Sequence, residues 1–267
     1  MSQRPIRFVQ ISDTHFFADE NSKLLSVPTH QSFDAVLAAI KKYADEHPID
    51  FIIHSGDLSQ DHTAESYDLL AQRLHRLEVP VYFVPGNHDN ASMMETVLPR
   101  ETITNNKHIL SDNWQIILLS SQKEDAVEGE LDDGQLAFMQ TCLKKHPDHQ
   151  AIILFHHHPL PVRCAWLDNI GLQNADEFWS RLTPHSNVNT VLFGHVHQDI
   201  EGIKHGIKCY STPSTCFQFM RNQNEFGIEN LPPGFRWVEL SEAGQLNTGV
   251  IRTPAYIGEY EAGAKGY

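Results

Sequence analysis

The chain has 267 residues, 40% of them hydrophobic and 20% charged, with Lys+Arg 20 against Asp+Glu 34 and a formal net charge of -14. That balance argues against a general nucleic-acid binder, whose non-specific affinity comes from Lys and Arg neutralising phosphates, and no apolar run is long enough for a membrane span. Cys142, Cys164, Cys209 and Cys216 form no CxxC pair, and polar Ser2-Gln3-Arg4-Pro5 leads straight into a strand with no signal peptide, so a cytoplasmic protein with free thiols is expected.

In chain order, the run Ile6-Arg7-Phe8-Val9-Gln10-Ile11-Ser12 reads as a buried strand and is followed by a polar loop over 16–30. Phe33, Val36, Leu37, Ile40, Tyr43 and Ala44 then recur at helical spacing, and Pro48 closes that helix. A second strand covers 51–55, and a helix capped by Thr63 carries Tyr67, Leu70, Ala71, Leu74 and Leu77 on its apolar face. A third strand, 81–84, a short helix, 91–98, and a hairpin turning at Ser111-Asp112-Asn113 come next. The pair Asp132 and Gln135 resembles a capping box, and Asn174 with Glu177 suggests another helix start. Strands over 151–155 and 190–193 are separated by a loop over 162–173. A hairpin at His205-Gly206, an irregular stretch over 214–233 and a strand pair turning at Glu242-Ala243-Gly244 complete one α/β domain, 1–253. Residues 254–267 have too little apolar content for a core and read as a tail or an oligomer arm, so a homodimer is allowed for.

The strands share one property. Their carboxyl ends deliver Asp13-Thr14-His15, Gly56-Asp57, Gly86-Asn87-His88-Asp89, His156-His157-His158-Pro159 and Gly194-His195-Val196-His197. Ligands in layered α/β folds bind outside the carboxyl ends of strands, so these side chains are expected on one rim. Asp13 and His15, like His195 and His197, are two apart, which in an extended chain projects both to one side. His30, His47, His62, His75, His108, His146, His149, His185 and His205 look like surface residues.

Asp13, His15, Asp57, Asn87, His156, His195 and His197 supply oxygen and nitrogen donors and no sulfur. That is too many for one tetrahedral zinc. It suits two borderline cations such as iron, manganese or zinc, about 3.5–4 Å apart, which clamp the oxygens of an in-line displacement at phosphorus.

The blocks DxH, GD, GNHD, a His before HP and GHxH, in that order, resemble the calcineurin-like metallophosphoesterases. Asp57-Leu58-Ser59-Gln60-Asp61, Trp166-Leu167-Asp168, Ser211-Thr212-Pro213-Ser214-Thr215-Cys216 and Pro232-Pro233-Gly234-Phe235-Arg236 extend the likeness to bacterial class III 3′,5′-cyclic AMP phosphodiesterases, as far as Gly266-Tyr267. The resemblance implies a four-layer α-β-β-α sandwich of two mixed sheets. It implies one metal on Asp13, His15, Asp57 and His197 and a second on Asp57, Asn87, His156 and His195, with Asp57 bridging. His157 rivals His156, since spacing alone does not rank them. Iron or manganese are the implied metals, and cyclic AMP hydrolysis by a metal-held hydroxide is the implied reaction. Substrate would meet His15, Asp57, Asn87, His88 and His197. His88 would stabilise or protonate the leaving oxygen, and Asp89 would either orient His88 or cap the helix at Ala91. Trp166 and Phe217 would either stack on adenine or pack loops. Another small phosphodiester, such as a glycerophosphodiester or a 2′,3′-cyclic nucleotide, is the alternative substrate, and a non-catalytic scaffold the remaining one. Neither nucleic acid nor membrane is an expected partner.

Overall fold

The computed structural model of the chain describes residues 4–111 and 113–266; Ser2, Gln3, the turn residue Asp112 and the terminal Tyr267, invoked above, lie outside them. Chain order is β1 (Ile6–Ile11), a ribbon of β2 (Lys23–Leu24) and β3 (Val27–Pro28), α1 (Thr29–Glu46), β4 (Phe51–His54), α2 (Ala64–His75), β5 (Val81–Phe83), α3 (Ala91–Val97), β6 (Ile103–Thr104), β7 (His108–Leu110), β8 (Trp114–Leu118), α4 (Asp133–Lys145), β9 (Gln150–Leu154), α5 (Ala165–Asp168), α6 (Ala175–Leu182), β10 (Val188–Phe193), β11 (Glu201–Lys204), β12 (Ile207–Ser211), a ribbon of β13 (Gln218–Phe219) and β14 (Ile228–Glu229), β15 (Gly234–Leu240) and β16 (Leu246–Arg252).

Two six-stranded sheets result, ordered β16-β15-β1-β4-β5-β6 and β11-β12-β10-β9-β8-β7. Both are mixed. β1, β4 and β5 run parallel, with Val9 opposite Ile52 and Ile52 opposite Val81, while β15 runs antiparallel to β1. In the second sheet β8, β9, β10 and β12 are parallel and the edges β7 and β11 are not.

The central parallel strands are largely apolar because both faces are covered. Side chains alternate between faces. Phe8, Phe51, Ile53, Ile152, Leu154 and Leu192 therefore meet between the sheets. Val9, Ile11 and Ile52 face Phe33, Val36 and Ile40 of α1 and Leu70 and Leu74 of α2. Ala151, Ile153, Val191 and Phe193 face Leu136 and Met139 of α4 and Phe178 and Leu182 of α6. The order helix, sheet, sheet, helix is the expected four-layer sandwich.

Several local expectations change. Thr63 caps α2 by accepting from Ser66 N, and Asp132 caps α4 by accepting from Gln135 N. The reciprocal half of the capping box is missing, because Gln135 Oε1 accepts from Ser120 N instead. Asn174 makes no cap; its side chain pairs with both backbone groups of Leu131. The loop over 162–173 holds the helical turn α5, which Asp168 Oδ1 fastens to Val162 N at 2.7 Å. His30 is buried rather than on the surface, its Nε2 2.8 Å from Phe17 O. The tail is not a projecting arm over its described length, since Tyr256 and Ala264 pack back on the second sheet's core.

Candidate metal centre

Beyond Ile11 and His54 the chain leaves the first sheet, but the two loops stay bonded. Asp13 N donates to Gly56 O (2.9 Å), His15 N to Asp57 O (3.1 Å) and Phe16 N to Leu58 O (3.0 Å). The backbone here is left-handed: φ is 57° at Asp13, 47° at His15 and 54° at Asp57, and in the GHxH loop it is 66° at His195 and 46° at His197. Strand alternation is therefore not what aims Asp13 with His15, or His195 with His197. Paired left-handed turns just past the strand ends do so. Non-glycine residues rarely adopt this conformation and concentrate at functional sites when they do.

Convergence is tight. Ligand atoms of Asp13, His15 and His197 lie within 4.8 Å of one another, as do those of Asp13, Asp57 and His156, and those of His15, Asp57 and His88. Three imidazoles are oriented by an oxygen behind them: His15 Nδ1 is 2.8 Å from Gln60 Oε1, His156 Nδ1 is 2.7 Å from Ser55 O and His197 Nδ1 is 2.9 Å from Phe217 O. Donation from Nδ1 leaves each ring's lone pair on Nε2. Those lone pairs then face other acceptors. His15 Nε2 is 3.3 Å from His197 Nε2, which is 3.2 Å from Asp13 Oδ1. His156 Nε2 is 3.2 Å from Asn87 Oδ1, 3.2 Å from His195 Nδ1 and 3.3 Å from Asp57 Oδ2. Asp13 Oδ2 and His195 Nε2 are buried without a hydrogen-bond partner. Acceptors packed against acceptors are stable only with positive charge between them, so this donor set could hold cations.

The protonation preferences agree. Burial depresses the His156 imidazole, yet Asp57 and Asp13 carry it up to about 9, a proton at Nε2 standing where a cation would sit. Burial likewise works against the Asp57 carboxylate, and His156, His88 and His15 hold it well below the usual range. His15 falls to about 3, chiefly through burial. His157, the rival of His156, has both ring nitrogens engaged, Nδ1 with Ser121 Oγ at 2.8 Å and Nε2 with Val127 O at 3.0 Å. His156 Nε2 is the nitrogen facing Asp57, although ligand atoms of His156, His157 and His195 also lie within 4.8 Å of one another.

Neither expected role of Asp89 fits. The helix cap is Asn90, whose Oδ1 accepts from Met93 N at 3.0 Å. The Asp89 carboxylate accepts from Leu58 N, Ser59 N, Gly86 N and Tyr67 Oη at 2.9–3.1 Å, so it pins the GD loop to the GNHD loop rather than turning the His88 ring. Burial and the nearby Asp57 charge push its pKa up to about 7. Gly86 permits the contact: a Cβ there would stand 2.1 Å from Asp57 Oδ1. His88 N donates to the same Asp57 Oδ1 at 2.9 Å.

A cavity of about 290 Å³ opens over Asn87, His88 and His195, walled by Trp166, Ile170 and Phe226. Trp166 meets Phe219 edge-on at 4.8 Å between ring centres. Phe217 is fully buried, packed against His15 and His197 beneath the cluster, so it supports the ligands instead of walling the cavity. A larger cavity of about 980 Å³ between α1 and β15–β16 shares none of these residues. Sequence reasoning missed Gln60 as the anchor of His15, although it stands three residues after Asp57; the carbonyls of Ser55 and Phe217 carry no side-chain signal at all.

Fold and site together define a metallophosphoesterase, and the chain belongs to the calcineurin-like phosphoesterase family, whose model matches residues 6–199. Family and clusters together imply divalent metals. Among relatives, the 3′,5′-cyclic adenosine monophosphate phosphodiesterase CpdA of Vibrio vulnificus is 40% identical over 253 residues, 94% of this chain and 92% of that one. The protein of the same name from Escherichia coli K12 is 36% identical over 263 residues, 98% and 95% of the two chains. A dimetal phosphatase from Danio rerio shares the fold with a TM-score of 0.65 at 15% identity, covering 94% of this chain and 100% of that one.

Proposed function

We propose that the chain hydrolyses 3′,5′-cyclic AMP to 5′-AMP at a dinuclear centre. One divalent cation would sit among Asp13, His15, Asp57 and His197 and the other among Asp57, Asn87, His156 and His195. The observation that carries this is the crowding of His15, His156 and His197 Nε2 atoms against carboxylate, amide and imidazole acceptors at 3.2–3.3 Å. Mixed oxygen and nitrogen donors favour iron or manganese, with zinc also accommodated. When bound, the cations supply Lewis acidity and an ionised water at neutral pH.

The remaining chemistry belongs to the chain. Asn87 holds a phosphoryl oxygen, with His15, Asp57 and His197 around it. His88 lines the cavity, and burial lowers its pKa, so it meets substrate as a neutral donor. Its N–H stabilises charge developing on the leaving 3′ oxygen. Asp89 keeps both loops in register. Trp166 and Phe226 offer the base an apolar wall, and a cavity of about 290 Å³ is at the small end of ligand pockets, suited to one mononucleotide.

The test is turnover of cyclic AMP and bis(p-nitrophenyl) phosphate by chelated and then metal-reloaded protein. Chelation should abolish both activities and iron or manganese should restore both. Restored cleavage of the aryl diester alone would reject cyclic AMP and favour another small phosphodiester. No helix among the described residues is long and apolar enough to cross a membrane. A cytoplasmic site of action and a homodimer complete the reading, checked by fractionation and by sedimentation.

A further inference from the structure

The segment after β16 does not trail away. Thr253 N donates to Pro233 O at 2.8 Å, and Tyr256 packs on the second sheet's core. Gly258, at φ 98°, lies so close to the β2–β3 ribbon that a Cβ would stand 2.5 Å from Ser26 O. Glu259 N donates to Ser26 O, Ser26 Oγ bonds Glu261 Oε1, and Tyr260 Oη donates to Ile228 O at 3.0 Å. The described part of this strap reaches Lys265 and Gly266, which line the cavity over Asn87, His88 and His195. Among the described residues lining that cavity, Lys265 is the only Lys or Arg. The other described side chains of the wall are apolar, imidazole or the amide of Asn87, and the protein as a whole carries a net charge of -14.

We propose that Lys265 is a substrate-positioning residue, delivered by the C-terminal strap to the mouth of the metal cleft, where its ammonium pairs with the anionic phosphodiester. The inference deepens the cyclic nucleotide reading and rests on it for the substrate. A single anionic diester approaching a negative molecule gains from a cation at the entrance, and an exposed lysine on a short strap can follow the ligand as it enters. Such a contact strengthens binding of substrate without touching the bond that breaks, so it acts on KM rather than kcat.

The experiment is steady-state kinetics on cyclic AMP with the metal-loaded full chain. Lys265→Ala should raise KM about two- to fivefold with kcat within about twofold, and Lys265→Arg should recover most of the loss. Lys265→Glu should raise KM further. Metal content and thermal midpoint should not move. Gly258→Val, which jams the strap against Ser26, should reproduce the KM change and add little to Lys265→Ala. Wild-type KM in both Lys265→Ala and Lys265→Glu overturns the proposal, and so does a Lys265→Arg protein as impaired as the alanine variant. If wild type cleaves bis(p-nitrophenyl) phosphate but not cyclic AMP, the substrate assignment fails separately, and the same variants compared on that anionic diester decide the role of Lys265.

Discussion

Replacing Gly86 by alanine should disable the centre without removing a single ligand. The added methyl would stand 2.1 Å from Asp57 Oδ1 and 2.4 Å from Asp57 N, where ordinary contacts begin near 3.4 Å. Relief needs about 1 Å of movement, and one of the atoms in the way is backbone, so the whole GD loop has to shift. Forcing a methyl into such packing costs about 1–3 kcal/mol. A displacement of about 1 Å at a reacting centre costs on the order of 100-fold in rate. Because Asp57 would ligate both cations, metal occupancy should fall as well. The assay pairs kcat on cyclic AMP with metal per chain by elemental analysis and a thermal melt to confirm folding. A folded Gly86→Ala protein with two metals and wild-type kcat would refute the crowding on which the bridging role of Asp57 depends.

Three further outcomes are expected. His88→Ala should lower kcat by about 100- to 1000-fold while both metals remain, and equal turnover removes His88 from the chemistry. Gln60→Leu takes away the oxygen that orients His15, so metal affinity should drop about 10- to 100-fold in a chelator competition, with the fold intact. Lys107 donates to Phe83 O at 2.6 Å, and burial brings its pKa down from 10.5 to about 8. Between those values the unfolded chain holds the proton and the folded one has lost it. Wild type should therefore gain up to about 3 kcal/mol over Lys107→Met as pH rises from 8 to 10.5, read from urea melts; a constant difference across that range contradicts the assignment.

The site was legible because its strands are buried on both faces. Short apolar runs then stand out, and the polar residues just past each point to the rim, where Asp13, Asp57, Asn87, His156 and His195 lie. What decides between neighbours was not legible. His156 and His157 are identical in type and adjacent, and it is the oxygens behind them, Ser55 O against Ser121 Oγ and Val127 O, that set their different orientations. Asp89 reads from sequence as a cap or a catalytic partner because its donors lie far off along the chain, at Leu58, Ser59 and Tyr67. The tail has too few apolar residues to announce a packed segment; it is held by scattered contacts, Tyr256 and Ala264 on the core, Tyr260 Oη on Ile228 O and Glu259 N on Ser26 O, whose partners lie far off along the chain. The left-handed turns were invisible because Asp and His, although enriched in that conformation among non-glycine residues, adopt it in only a minority of cases.

Those turns have an evolutionary corollary. At Asp13, His15, Asp57, His195 and His197 the backbone adopts a shape that suits glycine better, at a cost of about 1–2 kcal/mol per residue. Glycine at any of the five would ease the local conformation and delete a donor in the same step. Drift toward a sturdier fold and retention of the centre therefore pull in opposite directions at the same codons. A descendant freed from its chemistry should lose these side chains first, while the sheets beneath them persist.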